Sequence, residues 1–273
     1  MHLIQAILMG IVQGLSEFLP ISSSAHLVFT SNFYKVFKGI EILEESNQEI
    51  FLDIMLHVGT LVAVLIFFRK EIMQIIKALY FGIKNRDYSS TDFKMGIYIL
   101  LGTLLTVLIA YPLNEVAGDL VFNPAIVGLL LIVTGAILLV SEYLAKKITE
   151  KKEVNLKNSI LMGIAQGLAA LPGFSRSGMT IATGLFSGMD RATAARYSFL
   201  LSIPIIVIAS IFYPLIKLDI AEVVTYNWLA IVVGTIVSGF VGYLCIKYFL
   251  KGEYLCLLLC NELELQMHDT IIA

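Results

Sequence analysis

Apolar residues in this chain run in long unbroken blocks. Five of them, at about 52–68, 95–111, 125–142, 192–213 and 228–249, are long enough to cross a bilayer as helices. Three other apolar pieces do not fit that length. Residues 3–28 are interrupted by Gln13, Glu17 and a serine run, and 158–171 and 179–188 are short. The piece 158–171 makes about 21 Å of helix against a hydrocarbon core of about 30 Å. The pattern therefore predicts five crossings plus short apolar segments that enter the membrane without traversing it.

Two of the short segments are copies of one another. Residues 7–20 read ILMGIVQGLSEFLP and residues 160–172 read ILMGIAQGLAALP, the frame surviving with one residue dropped. Each copy runs into a serine-rich stretch, ISSSAHL after Pro20 and GFSRSGMT after Pro172. A duplicated apolar element with a polar tip marks a place where two halves of a membrane protein meet.

The charges orient the halves. Lys and Arg are dense in 69–94 and 143–157 and near Lys247 and Lys251. They are absent from 111–124, reduced to Lys217 in 214–227, and outnumbered by glutamates in 30–50. Basic loops stay cytoplasmic, so 30–50, 112–124 and 214–227 are expected outside and the others inside. Between the inside loop at 143–157 and the outside loop at 214–227 the chain crosses an odd number of times. The economical solution is a re-entrant hairpin at 158–190 followed by one crossing, and residues 3–28 are the same device from the other side. The expected fold is an all-α membrane protein, an inverted repeat of a re-entrant helix hairpin plus three transmembrane helices. It forms one membrane domain, with repeat one at 1–142, a cytoplasmic linker at 143–157 and repeat two at 158–273. The last crossing is open. After Lys251 only Tyr254–Cys260 is continuously apolar, and Glu262, Glu264, His268 and Asp269 follow. Each charge costs about 2.5–3.5 kcal/mol at a bilayer centre.

Composition supports the same class. Hydrophobic residues make up 58% of the chain against 15% charged, and the mean hydropathy is +0.86, outside the range of soluble domains. No basic face or aromatic platform is visible, which argues against nucleic acid. The N-terminus lacks the basic start of a cleaved signal peptide. Cys245, Cys256 and Cys260 suggest neither a disulfide framework nor a metal motif and read as small apolar residues.

The candidate chemistry lies at the repeated tips. Gln13 and Glu17 are four apart and share a helical face. A carboxylate inside an apolar membrane element is a functional hypothesis by default. Gly10 and Gly14, like Gly163 and Gly167, form G-x-x-x-G pairs suited to close helix packing. Pro20 stops the first helix, and Ser22, Ser23 and Ser24 follow. His26 is positioned in sequence so that either Ser22 or Ser23 could meet its imidazole on a helix. That is the minimum for an activated nucleophile, although an N-cap explains the same serines. Arg176, between Ser175 and Ser177 and followed by Thr180, is the stronger signal, because a guanidinium matches phosphate oxygens bidentately. An ion pair between Arg176 and Glu17 is the structural alternative, and both roles are compatible if a divalent cation bridges the anion to Glu17. Asp53 and His57, four apart near the outer end of a helix, could also line the site, although a packing or interfacial role is the stronger reading for each.

QGLSEFLPISSSAHL and PGFSRSGMT resemble the two signatures of the undecaprenyl-diphosphate phosphatases associated with bacitracin resistance, and LHVGTLVAV and RYSFLLSIP are also family-like. The resemblance covers roughly residues 1–250. It implies an integral membrane enzyme that releases phosphate from undecaprenyl diphosphate and so recycles the lipid carrier for wall polymers. It further implies a divalent cation, Mg²⁺ or Ca²⁺, and a place in the cell (inner) membrane. Glu17 would serve metal binding or base chemistry with Gln13 beside it, Ser23 would be the candidate nucleophile with water as the alternative, and His26 would assist protonation. Ser175, Arg176 and Thr180 would hold the diphosphate, and Gln13, Ser22 and Ser177 are further substrate-binding candidates. The expected partner is a polyprenyl diphosphate lipid in the membrane, and a homodimer is compatible with the sequence. The alternative is a polyprenyl-phosphate transporter, which would need a similar anion site but no nucleophile.

Overall fold

The computed structural model describes residues 2–39, 46–121, 124–146, 152–217 and 220–251. The undecided last crossing lies outside the described residues. Every regular element among them is a helix: α1 (Leu3–Ser16), α2 (Ser23–Phe37), α3 (Asn47–Phe67), α4 (Arg69–Asn85), α5 (Thr91–Val121), α6 (Pro124–Ala145), α7 (Leu156–Leu168), α8 (Arg176–Phe186), α9 (Arg191–Lys217), the single turn α10 (Ile220–Val223) and α11 (Trp228–Lys251).

Five of these, within α3, α5, α6, α9 and α11, are long and apolar enough to cross a membrane. They contain the five blocks expected from sequence. Large apolar side chains stand exposed around them, Leu108, Ile132, Leu139, Ile236 and Phe240 among them. An apolar belt of that extent has no place in water, and the chain is a multi-pass membrane protein.

Two stretches differ from the sequence expectation. The basic segment 69–94, expected as a loop, forms α4, because its Lys, Glu, Gln and Ala residues are good helix formers and its apolar residues recur on helical faces. The stretch 112–124, also expected as a loop, is helical to Val121, with Pro112 inside α5. No second proline occurs before Pro124, and Leu, Glu and Ala sustain the helix to Val121.

The helices start where side chains satisfy their first N–H groups. Ser46 and Glu49 form a capping box on α3, Asn155 and Asn158 form one on α7, and Ser175 accepts from the Gly178 N–H at the start of α8. The pairs α1–α2 and α7–α8 are helical hairpins with tips at 17–22 and 169–175. The open end of the first lies at the start of α3, where Gln5 and Lys35 both bond Glu49, Lys35 Nζ at 3.0 Å. The open end of the second is closed by the Lys152 N–H on the Gly188 carbonyl, 2.9 Å. It adjoins α9, whose Arg196 pairs with Glu71 just beyond the other end of α3. The hairpins thus open toward opposite ends of α3 and meet at their tips.

The halves interlock. Helix α1 packs on α11, and α7 packs on α5. In each case the first helix of a hairpin lies against a long helix of the other half. The repeated glycines make this approach close. A Cβ at Gly14 would lie 2.8 Å from backbone atoms of Ser238 and Gly242, and one at Gly163 would lie 2.6 Å from the Gly102 carbonyl oxygen. Thr106 Oγ1 on α5 donates to the Gly163 carbonyl at 3.0 Å, and Ser238 Oγ on α11 donates to that of Leu56 at 2.8 Å. Gly163→Ala is therefore expected to lower stability by about 1–3 kcal/mol, the usual cost of overpacking. Gly128→Ala on α6, with nothing within 4 Å, should be neutral or slightly stabilising. Thermal unfolding in detergent compares the two. Equal midpoints would show that the α5–α7 seam yields.

Candidate functional site

The tips of the hairpins build one polar cluster, sealed beneath by Phe18 packed edge-on to Phe199 at 5.3 Å. Helix α1 ends at Ser16, and its C-cap, Glu17, keeps helical backbone. The carboxylate therefore projects from the end of the helix, one turn beyond Gln13. It is almost wholly buried, at 5% exposure. Gln13 Nε2 donates to Glu17 Oε2 at 3.0 Å, and Ser23 Oγ donates to the same oxygen at 2.7 Å. Glu17 Oε1 receives the Arg176 guanidinium from the second hairpin. A buried carboxylate without such partners would be strongly disfavoured.

The tips are also tied directly. Ser22 Oγ donates to the Phe174 carbonyl at 3.4 Å, and Ser177 Oγ donates to that of Leu19 at 3.1 Å. Ser22 itself sits at φ 68°, a conformation that L-residues avoid and that persists only where the surroundings enforce it. Here it turns the chain sharply from the tip into α2.

His26 does not meet either serine hydroxyl. Its Nδ1 lies 2.8 Å from the Ser22 carbonyl oxygen. A carbonyl only accepts, so Nδ1 carries the proton and Nε2 keeps the lone pair. The serine–imidazole contact open in the sequence is thus replaced by Ser23 bonded to Glu17. Spacing along a helix allowed the first, but the turn before α2 produces the second.

The residues of the second signature divide. Arg176 enters the cluster. Ser175 caps α8, and its own N–H donates to Thr134 Oγ1 on α6 at 3.4 Å. Thr180 is turned toward α9, where its hydroxyl lies 2.6 Å from Ser198 Oγ, and it also bonds the Arg176 carbonyl at 2.9 Å. Ser175 and Thr180 therefore brace the segment that carries Arg176, and Ser177 ties it to the first tip.

One residue for which the sequence favoured packing over a site-lining role belongs to the cluster. His57 Nε2 is 3.6 Å from Glu17 Oε2, and its Nδ1 lies 2.8 Å from the Asp53 carbonyl oxygen. The signal available was an ionisable side chain inside a crossing helix, but only the packing of α3 beside the tip reveals its neighbour.

Two buried polar atoms here have no hydrogen-bond partner among the described residues: Arg176 Nη1, a donor, and Gln13 Oε1, an acceptor. Burying either unpaired is costly. The first suits an anion and the second a cation or hydroxyl. Among the described residues no group of three or more His, Cys, Asp or Glu side chains could by itself hold a metal. The oxygen donors of Glu17 and Gln13 nevertheless fit Mg²⁺ or Ca²⁺, since Mg²⁺ is commonly held by one or two carboxylates together with substrate phosphates.

Comparison with known proteins supplies the lineage of this site. The family model described as Bacitracin resistance protein BacA matches residues 6–253. "Undecaprenyl-diphosphatase 1" of Pseudoalteromonas translucida is 36% identical over 253 residues, covering 92% of this chain and 90% of its own length. The undecaprenyl-diphosphatase of Halothermothrix orenii is 40% identical over 253 residues, covering 92% and 89%. That of Methanobrevibacter smithii is 40% identical over 263 residues, covering 92% and 89%. With both signatures inside the matched region and their tips joined in one buried cluster, the chain belongs to the bacitracin resistance protein BacA family.

Proposed function

We propose that this protein is an integral membrane phosphatase that hydrolyses undecaprenyl diphosphate, or a closely similar polyprenyl diphosphate, to the monophosphate and inorganic phosphate. The observation that carries the reading is the buried Glu17 carboxylate, which accepts the Ser23 hydroxyl on one oxygen and the Arg176 guanidinium on the other. A base, a nucleophile and an anion-binding fork thus converge at one point. The relatives' name, undecaprenyl-diphosphatase, and the apolar helix faces around the tips agree with a lipid substrate. The prenyl chain would lie along those faces while the headgroup enters between the tips. The repeated hairpins, opening to opposite ends of α3, support an inverted repeat.

In this reading Ser23 Oγ attacks the terminal phosphorus and its proton passes to Glu17 Oε2. The bond from that phosphorus to the bridging oxygen breaks, and the lipid leaves as monophosphate. Water then attacks the phosphoserine, giving its proton to His26 Nε2. The bond from phosphorus to Ser23 Oγ breaks, Glu17 returns the first proton to Ser23 Oγ, and His26 passes its proton to the departing phosphate. Inorganic phosphate is released. Arg176 holds the phosphoryl oxygens throughout, with Nη1 as its uncommitted donor. Phosphoryl transfer depends chiefly on such positioning and charge stabilisation. Glu17 and Gln13 Oε1 would hold a divalent cation, which supplies further neutralisation of the diphosphate.

Ser23→Ala tests the assignment. It should lower kcat about a hundredfold or more while changing substrate binding little, because the hydroxyl acts in the transition state. Normal hydrolysis by that variant would transfer the attack to water. Binding of polyprenyl diphosphate by the wild type, with divalent cation present and no phosphate released, would replace the enzyme with a transporter.

Orientation is testable separately. In intact cells carrying an otherwise cysteine-free protein, Val224→Cys should react with an impermeant thiol reagent added outside, and Tyr88→Cys should not. Both side chains are exposed. The opposite pattern would reverse the sidedness deduced from the Lys and Arg distribution.

A further inference from the structure

We propose that α4 is an interfacial lipid-binding helix that seats anionic phospholipid headgroups at the membrane surface beside the α3–α5 pair. This surface lies apart from the tip cluster and does not depend on its chemistry. Helices α3 and α5 both cross, so the two ends of α4 lie on one side of the bilayer. Its 17 residues form about 25 Å of helix, and four of them, Arg69, Lys70, Lys77 and Lys84, are basic.

Three stripes run along it. The first faces the protein: Ile75 is buried, Leu79 packs on Gly96, and Gly82 meets Phe93 of α5. The second, beside it, is apolar yet uncovered. Met73, Ile76, Tyr80 and Ile83 recur at helical spacing and are 51–65% exposed. The third, next to the apolar stripe, is the row Lys70, Lys77 and Lys84, seven apart and exposed. The helix has one acid, Glu71, and Arg196 of α9 already holds it with Nε at 2.8 Å. The lysine row is therefore uncompensated.

An exposed apolar stripe bordered by lysines is the form that settles into the headgroup boundary, with lysine stems lying along apolar surface and ammonium groups reaching phosphates. Helix α4 follows α3 directly and packs on α5, both of them crossing helices, which favours lipid over a soluble protein as the occupant. The charge selects anionic over zwitterionic lipid. The side concerned is the one predicted to be cytoplasmic, where anionic lipid attracts basic segments.

The test places a reporter on the apolar stripe. Trp228 is the only tryptophan, so Tyr80→Trp in a Trp228→Phe background gives one emitter on α4. The protein is reconstituted into mixed phosphatidylcholine–phosphatidylglycerol vesicles in which one lipid or the other carries brominated chains at equal mole fraction. Brominated phosphatidylglycerol should quench about twofold more than brominated phosphatidylcholine at low salt, and the excess should shrink as salt rises. Lys70→Gln/Lys77→Gln/Lys84→Gln should abolish the excess but retain quenching. Ile83→Trp in the same background serves as a second reporter should Tyr80→Trp perturb the protein. Absence of quenching by either lipid would remove α4 from the bilayer surface. Equal quenching by both at low salt would remove the anionic selectivity. Either result overturns the proposal.

Discussion

Replacing Glu17 with Gln is expected to lower kcat for phosphate release from a polyprenyl diphosphate by about 10²–10⁴-fold, the range for loss of a positioned general base. The amide keeps the size of the carboxylate and can still accept from Ser23, so the loss would reflect basicity rather than shape. It has a second consequence. Arg176 loses its counter-charge in a site where the side chain is only 19% exposed. Breaking a buried ion pair from one side costs about 3–5 kcal/mol. Activity alone therefore does not separate chemistry from folding. The double variant Glu17→Gln/Arg176→Gln does so, since it removes both charges. Thermal stability should recover toward wild type while phosphate release stays lost. Recovery of activity together with stability would reduce the pair to a structural tie between the hairpins.

Arg176→Lys is expected to cost about 10²–10³-fold in turnover although the charge is conserved, because that is the usual loss when one preorganised transition-state donor is removed. An ammonium is a point charge. It can still pair with Glu17, and the fold should survive with little loss of thermal stability. It does not present the planar fork that grips a carboxylate with one nitrogen and phosphoryl oxygens with the other. In the wild type Nη2 faces Glu17 while Nη1 is buried with no partner among the described residues, and it is this second arm that lysine lacks. The loss should appear in kcat more than in KM, because charge on the transferring group grows toward the transition state. Wild-type turnover with lysine at 176 would mean that charge alone suffices and that the spare nitrogen has no catalytic part.

Much of this molecule follows from one-dimensional pattern. The five crossing blocks were legible because a bilayer sets a minimum length of continuous apolar sequence, and each lies within a crossing helix. The tips were legible because the frame ILMGI-x-QGL is repeated with polar residues attached, and because Glu17 and Arg176 are charges in apolar surroundings. The helix of 69–85 was obscured by its own charge density, since counting basic residues favours a loop while their helical periodicity is apparent only when the uncovered Met73, Ile76, Tyr80 and Ile83 are seen as one face. The extension of α5 beyond Pro112 was hidden because proline is a statistical stop and not an absolute one.

The roles of individual polar residues were decided by contacts distant in sequence. Spacing placed His26 within reach of Ser22 or Ser23, but a left-handed turn at Ser22 carries the imidazole onto a carbonyl and aims Ser23 at Glu17. Thr180 follows Arg176 by four residues, yet the packing of α8 on α9 turns its hydroxyl to Ser198. His57 stands forty residues along the chain from Glu17, and only the position of α3 beside the first tip brings its ring to 3.6 Å. Sequence alone thus determines which segments are long and apolar enough to cross a membrane and which residue types stand at the hairpin tips, because both depend on local composition and hydration. Which of those residues share a proton, a charge or a carbonyl depends on how two interlocked halves approach through glycine faces, and that is a property of the tertiary structure.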